Sequence, residues 1–531
     1  MISLVICAIG LLGGAIGTMP YVVMVPLDSR PATAQHPEML ASVAGVKVVS
    51  PPKELLGRFT IPGKSDFIVE WLSNQDYKDA QALIVSADML CYGGLVESRL
   101  PTVSTRLADI RLDVLRKIRK QNPRLPIYVY ASLMRTTPTA TKANEEWRVW
   151  LSRYVALKEK HYLMGLPEQR VKLENIETKI PEDHLERYFA ARARNVEVSK
   201  ILIDEVKKGV ISYLVIGTDD SLDYGPQRKE RWELRKYAEE KEVLERAEFC
   251  EGVDQLPLVL LSRLFCARHG WTPRVFLQVS NPANLSKAGS YETIPLAASI
   301  RQQVIMAGGE MTTKKEEAQY VLYLHLPQTS DNQRQIFLYM LKRDLRKGFP
   351  AALVDINFDA QAAGDAALMN PILFERDFSK LTAYSSWNTP ANSLGTAVAH
   401  AHVILLARKI FPNALEREVA HYRYLLMRLV SDYGYARMIR PEAYRMLEEQ
   451  AQKTHQVENG EALRNTEKWV AEKTKELLRE YFEKQFLGTV IQDGEKRYEL
   501  RDVENISVTL PWPRAFECEM KFEITASMLD K

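Results

Sequence analysis

The chain has 531 residues, of which 46% are hydrophobic and 26% charged, as is usual for a globular protein. Its length suggests about two or three domains. The 71 basic and 68 acidic residues leave a formal net charge of +3, so the composition predicts no nucleic-acid surface. No cysteine pair has the spacing of a disulfide framework or a zinc site, which predicts that most of the five are core residues.

Residues 1–18 are apolar and uncharged, like the core of a signal peptide, but they lack its basic beginning. The segment is too short and glycine-rich for a stable membrane span. Met19 follows directly and opens the first predicted strand. Two alternatives therefore stay open. Translation starts at Met19 and the protein is cytoplasmic, or residues 1–18 act as a signal peptide and it is exported.

From Tyr21 onward, short apolar runs alternate with amphipathic stretches. Runs that are apolar along their whole length are typical of strands covered on both faces of a sheet. The predicted strands are 21–27, 46–49, 82–87, 127–131, 213–217, 274–279, 320–326, 351–356 and 381–385. Stretches such as 105–121, 190–208 and 294–307 predict helices between them. This alternation predicts an α/β fold with parallel strands.

Residues 19–415 contain nine such strands, which favours a parallel (β/α)8-like barrel, or TIM barrel, with one extra strand. The barrel is preferred because polar residues of catalytic type follow nearly every strand. A break near Gly270 would instead fit two doubly wound α/β domains. Residues 416–487 predict a helical segment. Residues 488–531 alternate around an Asp-Gly turn and predict a small antiparallel β appendage.

The most informative strand end is the acid pair Asp219 and Asp220, which follows strand 213–217. Two adjacent carboxylates cannot both ionise cheaply, so one is expected to hold a proton while the other stays charged. The pair therefore predicts catalysis, with Asp220 as general acid/base and Asp219 as the orienting or charge-stabilising partner. The alternative is that the two acids cap the next helix, where Asp is favoured.

Polar side chains at the other strand ends are predicted to bind the substrate. They are Asp28, Arg30, Asp88, Arg135, Asn281, Asp355, Asn357, Tyr384, Trp387, Asn388 and Asn392. In a barrel all strand ends meet at one rim, so these residues should line one cavity. Aromatic rings beside amides are typical of sugar sites. The alternative is that they brace turns or cap helices. No metal ligand set and no cofactor is predicted.

Several motifs together resemble a bacterial family catalogued as a domain of unknown function. They are Pro26 to Pro31, Gly93-Gly94 with Ser98-Arg99, Arg192 to Asn195, Asp219 to Ser221 with Gly225, Trp387 to Thr389 with Asn392 and Gly395, and Pro511 to Glu517. The resemblance runs from Tyr21 to the C-terminus and brings no settled activity. Members of that family often carry Gly-x-Asp-Glu where this chain has Gly252 to Gln255. If the second acid is catalytic in relatives, Gln255 puts activity here in doubt.

The paired acids with a nearby aromatic residue and an asparagine are also similar to glycosidases that use the substrate's acetamido group as nucleophile. The predicted function is a glycoside hydrolase acting on an N-acetylated or related sugar, with a small-molecule or oligosaccharide substrate. One alternative is a metal-dependent hydrolase or lyase in which Asp28, Asp88, Asp219 and Asp355 bind a hard cation. Another is a non-catalytic carbohydrate-binding scaffold. Arg514 and Glu517 are expected near the rim, in a loop stiffened by prolines and anchored by Trp512.

Overall fold

The computed structural model describes residues 19–164, 169–359 and 362–529, so the apolar leader 1–18 lies outside the described residues. The first unit is built on a six-stranded sheet in which all strands are parallel. Its strands are β1 (Tyr21–Val25), β2 (Lys47–Val49), β3 (Ala80–Ser86), β4 (Ile127–Leu133), β5 (Tyr213–Thr218) and β6 (Ala247–Glu251). Their order across the sheet is β2-β1-β3-β4-β5-β6.

The second unit is built on a five-stranded parallel sheet with the order β11-β10-β9-β7-β8. Its strands are β7 (Arg274–Val279), β8 (Glu310–Thr312), β9 (Tyr320–His325), β10 (Ala351–Asp355) and β11 (Ala383–Ser385). In both sheets the first strand lies between the second and the third, so the two units share the arrangement of a doubly wound fold.

The helices that cover the sheets come between the strands in the chain. They are α1 (Gln35–Val43), α2 (Ser65–Ser73), α3 (Ala87–Tyr92), α4 (Thr105–Gln121), α5 (Arg148–Met164), α6 (Gln169–Glu177), α7 (Glu182–Lys207), α8 (Pro226–Glu240), α9 (Leu256–Arg268), α10 (Leu296–Met306), α11 (Asp331–Arg346), α12 (Ala366–Phe374) and α13 (Pro390–Ile410). Along β1, Val22 and Met24 enter one core while Val23 and Val25 enter another. The sheet is therefore covered on both faces, as its apolar strands predict.

The parallel α/β character is confirmed, but the expected single closed barrel is not observed. Among the described strands, no pairing joins the two sheets, and β2, β6, β8 and β11 are edge strands. Alternation of strand and helix is the same in a barrel and in two open sheets. What separates them is which distant strands pair, and local sequence does not carry that information.

The two units share one continuous hydrophobic core. Helix α9 packs on β3 and β4 of the first sheet, and α13 packs on β10 and β11 of the second. The two helices pack directly on each other, and α1 contacts both. Apolar side chains from Val22 in β1 to Leu353 in β10 belong to the same cluster.

The C-terminal part is helical and then antiparallel, as predicted. Its helices are α14 (Ala414–Arg428), a π-helical segment (Leu429–Ile439), α15 (Arg440–Glu449) and α16 (Gly460–Gln485). A three-stranded antiparallel sheet follows, formed by β12 (Val490–Asp493), β13 (Lys496–Thr509) and β14 (Glu519–Met528). In the described parts of the chain, no helix is both long enough and apolar enough to cross a membrane.

We expect Gly217→Ala to destabilise the protein, because a Cβ at Gly217 would lie 2.2 Å from the backbone oxygen of Gly252. Overpacking of this kind lowers the free energy of unfolding by about 1–3 kcal/mol. The measurement is the midpoint of urea or thermal unfolding. Gly460→Ala is the matched control, since Gly460 is exposed at the start of α16 and a Cβ there would meet only the flexible tip of Arg464 at 3.2 Å. Equal midpoints for both variants would contradict the tight packing at Gly217.

Candidate active site

The carboxyl edge of the first sheet carries the strongest concentration of buried charge. Strand order reverses between β1 and β3, and open α/β sheets bind ligands in the crevice outside such a reversal. Asp28 follows β1, and Asp88 stands in the first turn of α3, directly after β3. Ser86 fixes this turn by accepting a hydrogen bond from the backbone N–H of Met89 at 3.2 Å.

Arg30 lies at the centre of this edge and bridges two carboxylates. Its guanidinium donates to Asp28 at 2.7 Å and to Asp254, after β6, at 2.7 and 3.0 Å. Asp28 also accepts hydrogen bonds from the backbone N–H of Arg30 and from Thr33, at 3.0 and 2.9 Å. All three members of the bridge are buried. Burial raises the pKa of Asp254, although the charge of Arg30 opposes that shift.

The C-terminal loop closes over this bridge, as predicted for Arg514 and Glu517. The indole of Trp512 lies 5.0 Å from the Arg30 guanidinium, and its N–H donates to Ser29 at 3.1 Å. Arg514 lies 4.6 Å from the same ring and donates to Glu517 at 2.8 Å. The crevice between Asp28, Gly93 and Trp512 is consequently narrow, with a volume of about 10 Å³.

Asp88 is buried beside β4 rather than exposed to a ligand. It accepts hydrogen bonds from the backbone N–H and the hydroxyl of Ser132, at 2.9 and 2.8 Å. Burial outweighs these hydrogen bonds and raises the pKa of Asp88 to about 7. The side chain therefore holds a proton at mildly acidic pH.

The acid pair after β5 is electrostatically unequal. The Arg99 guanidinium donates to Asp219, and the backbone N–H of Asp220 donates to the other Asp219 oxygen at 2.9 Å. Burial raises the pKa of Asp219, but the charges of Arg99 and Arg135 outweigh it and hold that pKa below its ordinary value. Asp219 is therefore ionised.

Asp220 differs from its neighbour because, among the described residues, no guanidinium donates a hydrogen bond to it. Arg135 is 3.8 Å away, and 24% of the Asp220 side chain is exposed. Burial raises the pKa of Asp220 to about 6; the charge of Arg135 lowers it, and the charges of Asp219 and Asp254 raise it further. The pair does not cap the following helix, because α8 begins after Gly225 and has no side-chain cap.

Four of the predicted residues lie at the carboxyl edge of the second sheet: Asn281, Asp355, Asn357 and Tyr384. Asn281 donates to the backbone of Gln328 at 3.0 Å. The carboxylate of Asp355 accepts backbone N–H groups of Asn357 and Asp365, at 3.0 and 2.6 Å. The ring of Tyr384 is fully buried against Phe378. The loops after the two sheets also contact each other, since the backbone N–H of Ser221, after β5, donates to the backbone oxygen of Tyr291, after β7, at 3.0 Å.

The start of α13 links the second unit to the acid pair. Glu292 accepts the backbone N–H of Ala391 at this helix start. Burial, followed by the charges of Glu251 and Asp220, raises the pKa of Glu292 to about 8. Trp387 and Asn388 precede the helix and are partly exposed, and the indole N–H of Trp387 donates to Thr396 at 3.2 Å.

Asn392, in the first turn of α13, is buried. Its side-chain oxygen has no hydrogen-bond partner among the described residues. Buried amide oxygens are normally paired, so this atom is available to a ligand or water at the helix start.

Three charged residues of this site were not predicted as site residues from the sequence. They are Arg99, Asp254 and Glu292. Arg99 belongs to the Ser-Arg motif noted above, which was a usable signal. Asp254 follows β6, whose Glu248 and Glu251 interrupt the apolar run that marks a buried strand.

The aspartates of the metal alternative do not converge. Asp28 is bonded by Arg30, Asp219 by Arg99 and Asp88 by Ser132, while Asp355 belongs to the second sheet. Within the described ranges, no group of three or more His, Cys, Asp or Glu side chains is arranged to hold a metal ion.

Comparison with known proteins places the chain in a family. A family model described as "Protein of unknown function (DUF4127)" matches residues 22–521. The chain belongs to this family. No curated protein and no solved structure matches it. The amide of Gln255 is buried and donates to the backbone oxygen of Glu251 at 2.9 Å. Its neighbour Asp254, and not Gln255, accepts the hydrogen bond from Arg30.

We expect Asp88→Asn to change how stability depends on pH. Because the folded pKa of about 7 lies above the ordinary 3.8, the stabilisation from protonated Asp88 is complete below pH 4 and is lost as the pH rises through 7. Asn cannot ionise, so the variant should lose about 4 kcal/mol less stability than the parent between these pH values. Unfolding by urea at a series of pH values measures this. Asp79→Asn is the control, because Asp79 is exposed. If the free energy of unfolding of Asp88→Asn depends on pH in the same way as that of the parent, the raised pKa is contradicted.

Proposed function

We propose that this protein is a glycoside hydrolase that acts on an N-acetylated or related sugar through Asp219 and Asp220. One observation carries the proposal: the pair joins an ion-paired carboxylate to a partly exposed, protonatable one. General acid catalysis near neutral pH requires a group with a raised pKa, and the pKa of Asp220 is about 6.

In this mechanism the acetamido oxygen of the substrate forms a bond to the anomeric carbon while Asp220 donates its proton to the glycosidic oxygen and the bond to the leaving group breaks. Ionised Asp219 orients the acetamido group of the substrate and stabilises the positive charge that develops on it. Asp220, now deprotonated, accepts a proton from the water that completes hydrolysis. The two acids are adjacent in one loop, which does not fit two carboxylates placed on opposite faces of the sugar. It suits a substrate that supplies its own nucleophile.

The segment before α13 supports a sugar as the substrate. Trp387 offers a partly exposed ring, and Asn388 a partly exposed amide. Arg428 lies 5.4 Å from the centre of the Trp387 ring, so a sugar would stack on the opposite face of the indole. The contact of Glu292 with Ala391, together with the effect of Asp220 on Glu292, brings this helix start toward the acid pair.

We expect Asp220→Asn to lower turnover by roughly 10²-fold or more, because the general acid is lost. Asp219→Asn should impair most strongly those substrates that bear an acetamido group. A screen of chromogenic glycosides, with and without a chelator, identifies the substrate and tests the metal alternative. Asp223→Asn is the matched control, since Asp223 is exposed three residues further on. Full activity of Asp220→Asn would refute the proposal.

The rate should fall as the pH rises through about 6, because only protonated Asp220 can donate. Since the charge of Arg135 lowers the pKa of Asp220, Arg135→Gln should move this fall to higher pH. The measurement is kcat as a function of pH for both proteins. A fall that stays in place or moves to lower pH in the variant would contradict the assignment of Asp220.

A further inference from the structure

Three cationic or titratable side chains lie on segments that are distant in the chain, and one of them, Arg135, is 3.8 Å from Asp220. Arg135 follows β4, Arg148 is the first residue of α5, and His455 lies between α15 and α16. Burial, and then the charge of Arg135, lowers the pKa of Arg148. Burial, and then the charge of Arg148, lowers the pKa of His455. Contacts between these segments agree with this: Ser152 of α5 donates to Thr137, which lies shortly after Arg135, at 2.7 Å.

These side chains have donors that nothing in the described chain uses. Nε of Arg135, Nε of Arg148 and Nε2 of His455 are buried atoms without a hydrogen-bond partner among the described residues. Asp220, at 3.8 Å, is too far from Arg135 for a hydrogen bond. The nearby carboxylate of Glu145 forms its salt bridge with Lys453 at 2.8 Å.

Unused arginine donors are unusual, because buried polar groups are nearly always paired. A guanidinium presents its N–H groups as a planar fork that matches the oxygens of a carboxylate, sulfate or phosphate. Arg148 also stands at the N-terminus of the 17-residue helix α5, where the helix dipole favours negative charge. The cluster thus has the donors and the positive potential that an oxyanion requires.

We infer that Arg135, Arg148 and His455 form a subsite for an anionic group of the substrate, a carboxylate, sulfate ester or phosphate ester next to the acid pair. The assignment to a sugar rests on the proposed function, whereas the capacity to bind an oxyanion does not. The substrate class narrows to acidic or esterified sugars. An anion on Arg135 would also offset the effect of that arginine on Asp220 and favour the protonated acid.

The first test measures binding of inorganic sulfate and phosphate to the full chain by isothermal titration calorimetry, and by thermal unfolding against chloride at equal ionic strength. We expect binding to the parent and an affinity at least 10-fold weaker for Arg148→Gln. Arg153→Gln is the control, because Arg153 is exposed on the same helix and stacks on Trp150 at 4.9 Å. Thermal unfolding without added anion shows that each variant is folded. No binding by the parent, or equal affinities for the parent and Arg148→Gln, overturns the subsite.

The second test compares chromogenic glycosides in pairs: an N-acetylglucosaminide with its 6-sulfate and 6-phosphate, and a glucoside with the glucuronide. The anionic glycoside that binds the subsite should have a kcat/KM at least 10-fold above that of its neutral counterpart. Arg148→Gln should lower this preference for the anionic glycoside at least 10-fold. Preference for ester or carboxylate identifies the anion. If neutral sugars are hydrolysed without any preference, the subsite is wrong and the proposed function stands. If nothing is hydrolysed while sulfate binding depends on Arg148, the proposed function is wrong and the subsite stands.

Discussion

The ion bridge through Arg30 constrains the whole carboxyl edge of the first sheet. Strands β3, β4 and β5 separate β1 from β6, yet Asp28 and Asp254, which follow those two distant strands, share one guanidinium. Removing the arginine would leave two buried carboxylates without a counter-charge, which is strongly destabilising. The loop after β6 therefore extends over the ends of the central strands to reach Arg30. It leads directly into α9, which packs against the second unit.

Arg30 donates to Asp28 and Asp254, so the acid pair Asp219 and Asp220 interacts with other arginines. Arg99 donates a hydrogen bond to Asp219, whereas the guanidinium of Arg135 is 3.8 Å from Asp220. The pKa values of two adjacent aspartates in one loop are thus shifted in opposite directions without any difference in their own chemistry. The asymmetry on which general acid catalysis depends is a property of the arginines that surround the pair.

The sequence was sufficient to locate strands buried on both faces, because runs such as Leu214 to Ile216 are apolar throughout. It was insufficient for β6 and β8, which are edge strands with charged residues, and for the choice between one barrel and two sheets, which depends on long-range pairing. The unequal pair was predictable from adjacency alone. The acid role was assigned to Asp220 without the residue that decides it, since Arg99 is 120 positions from Asp219. For the same reason the sequence did not show that Asp355 and Tyr384 belong to a second sheet.

The indole that covers Arg30 has a consequence for the order of events during synthesis. Trp512 lies 483 positions after its hydrogen-bond partner Ser29. Domains fold largely in the order in which they leave the ribosome, N-terminal parts first. The first sheet must therefore form with its charged edge open to solvent, and that edge is covered only when the last antiparallel strands are added. During this interval the charged edge of the nascent chain is exposed to chaperones and proteases.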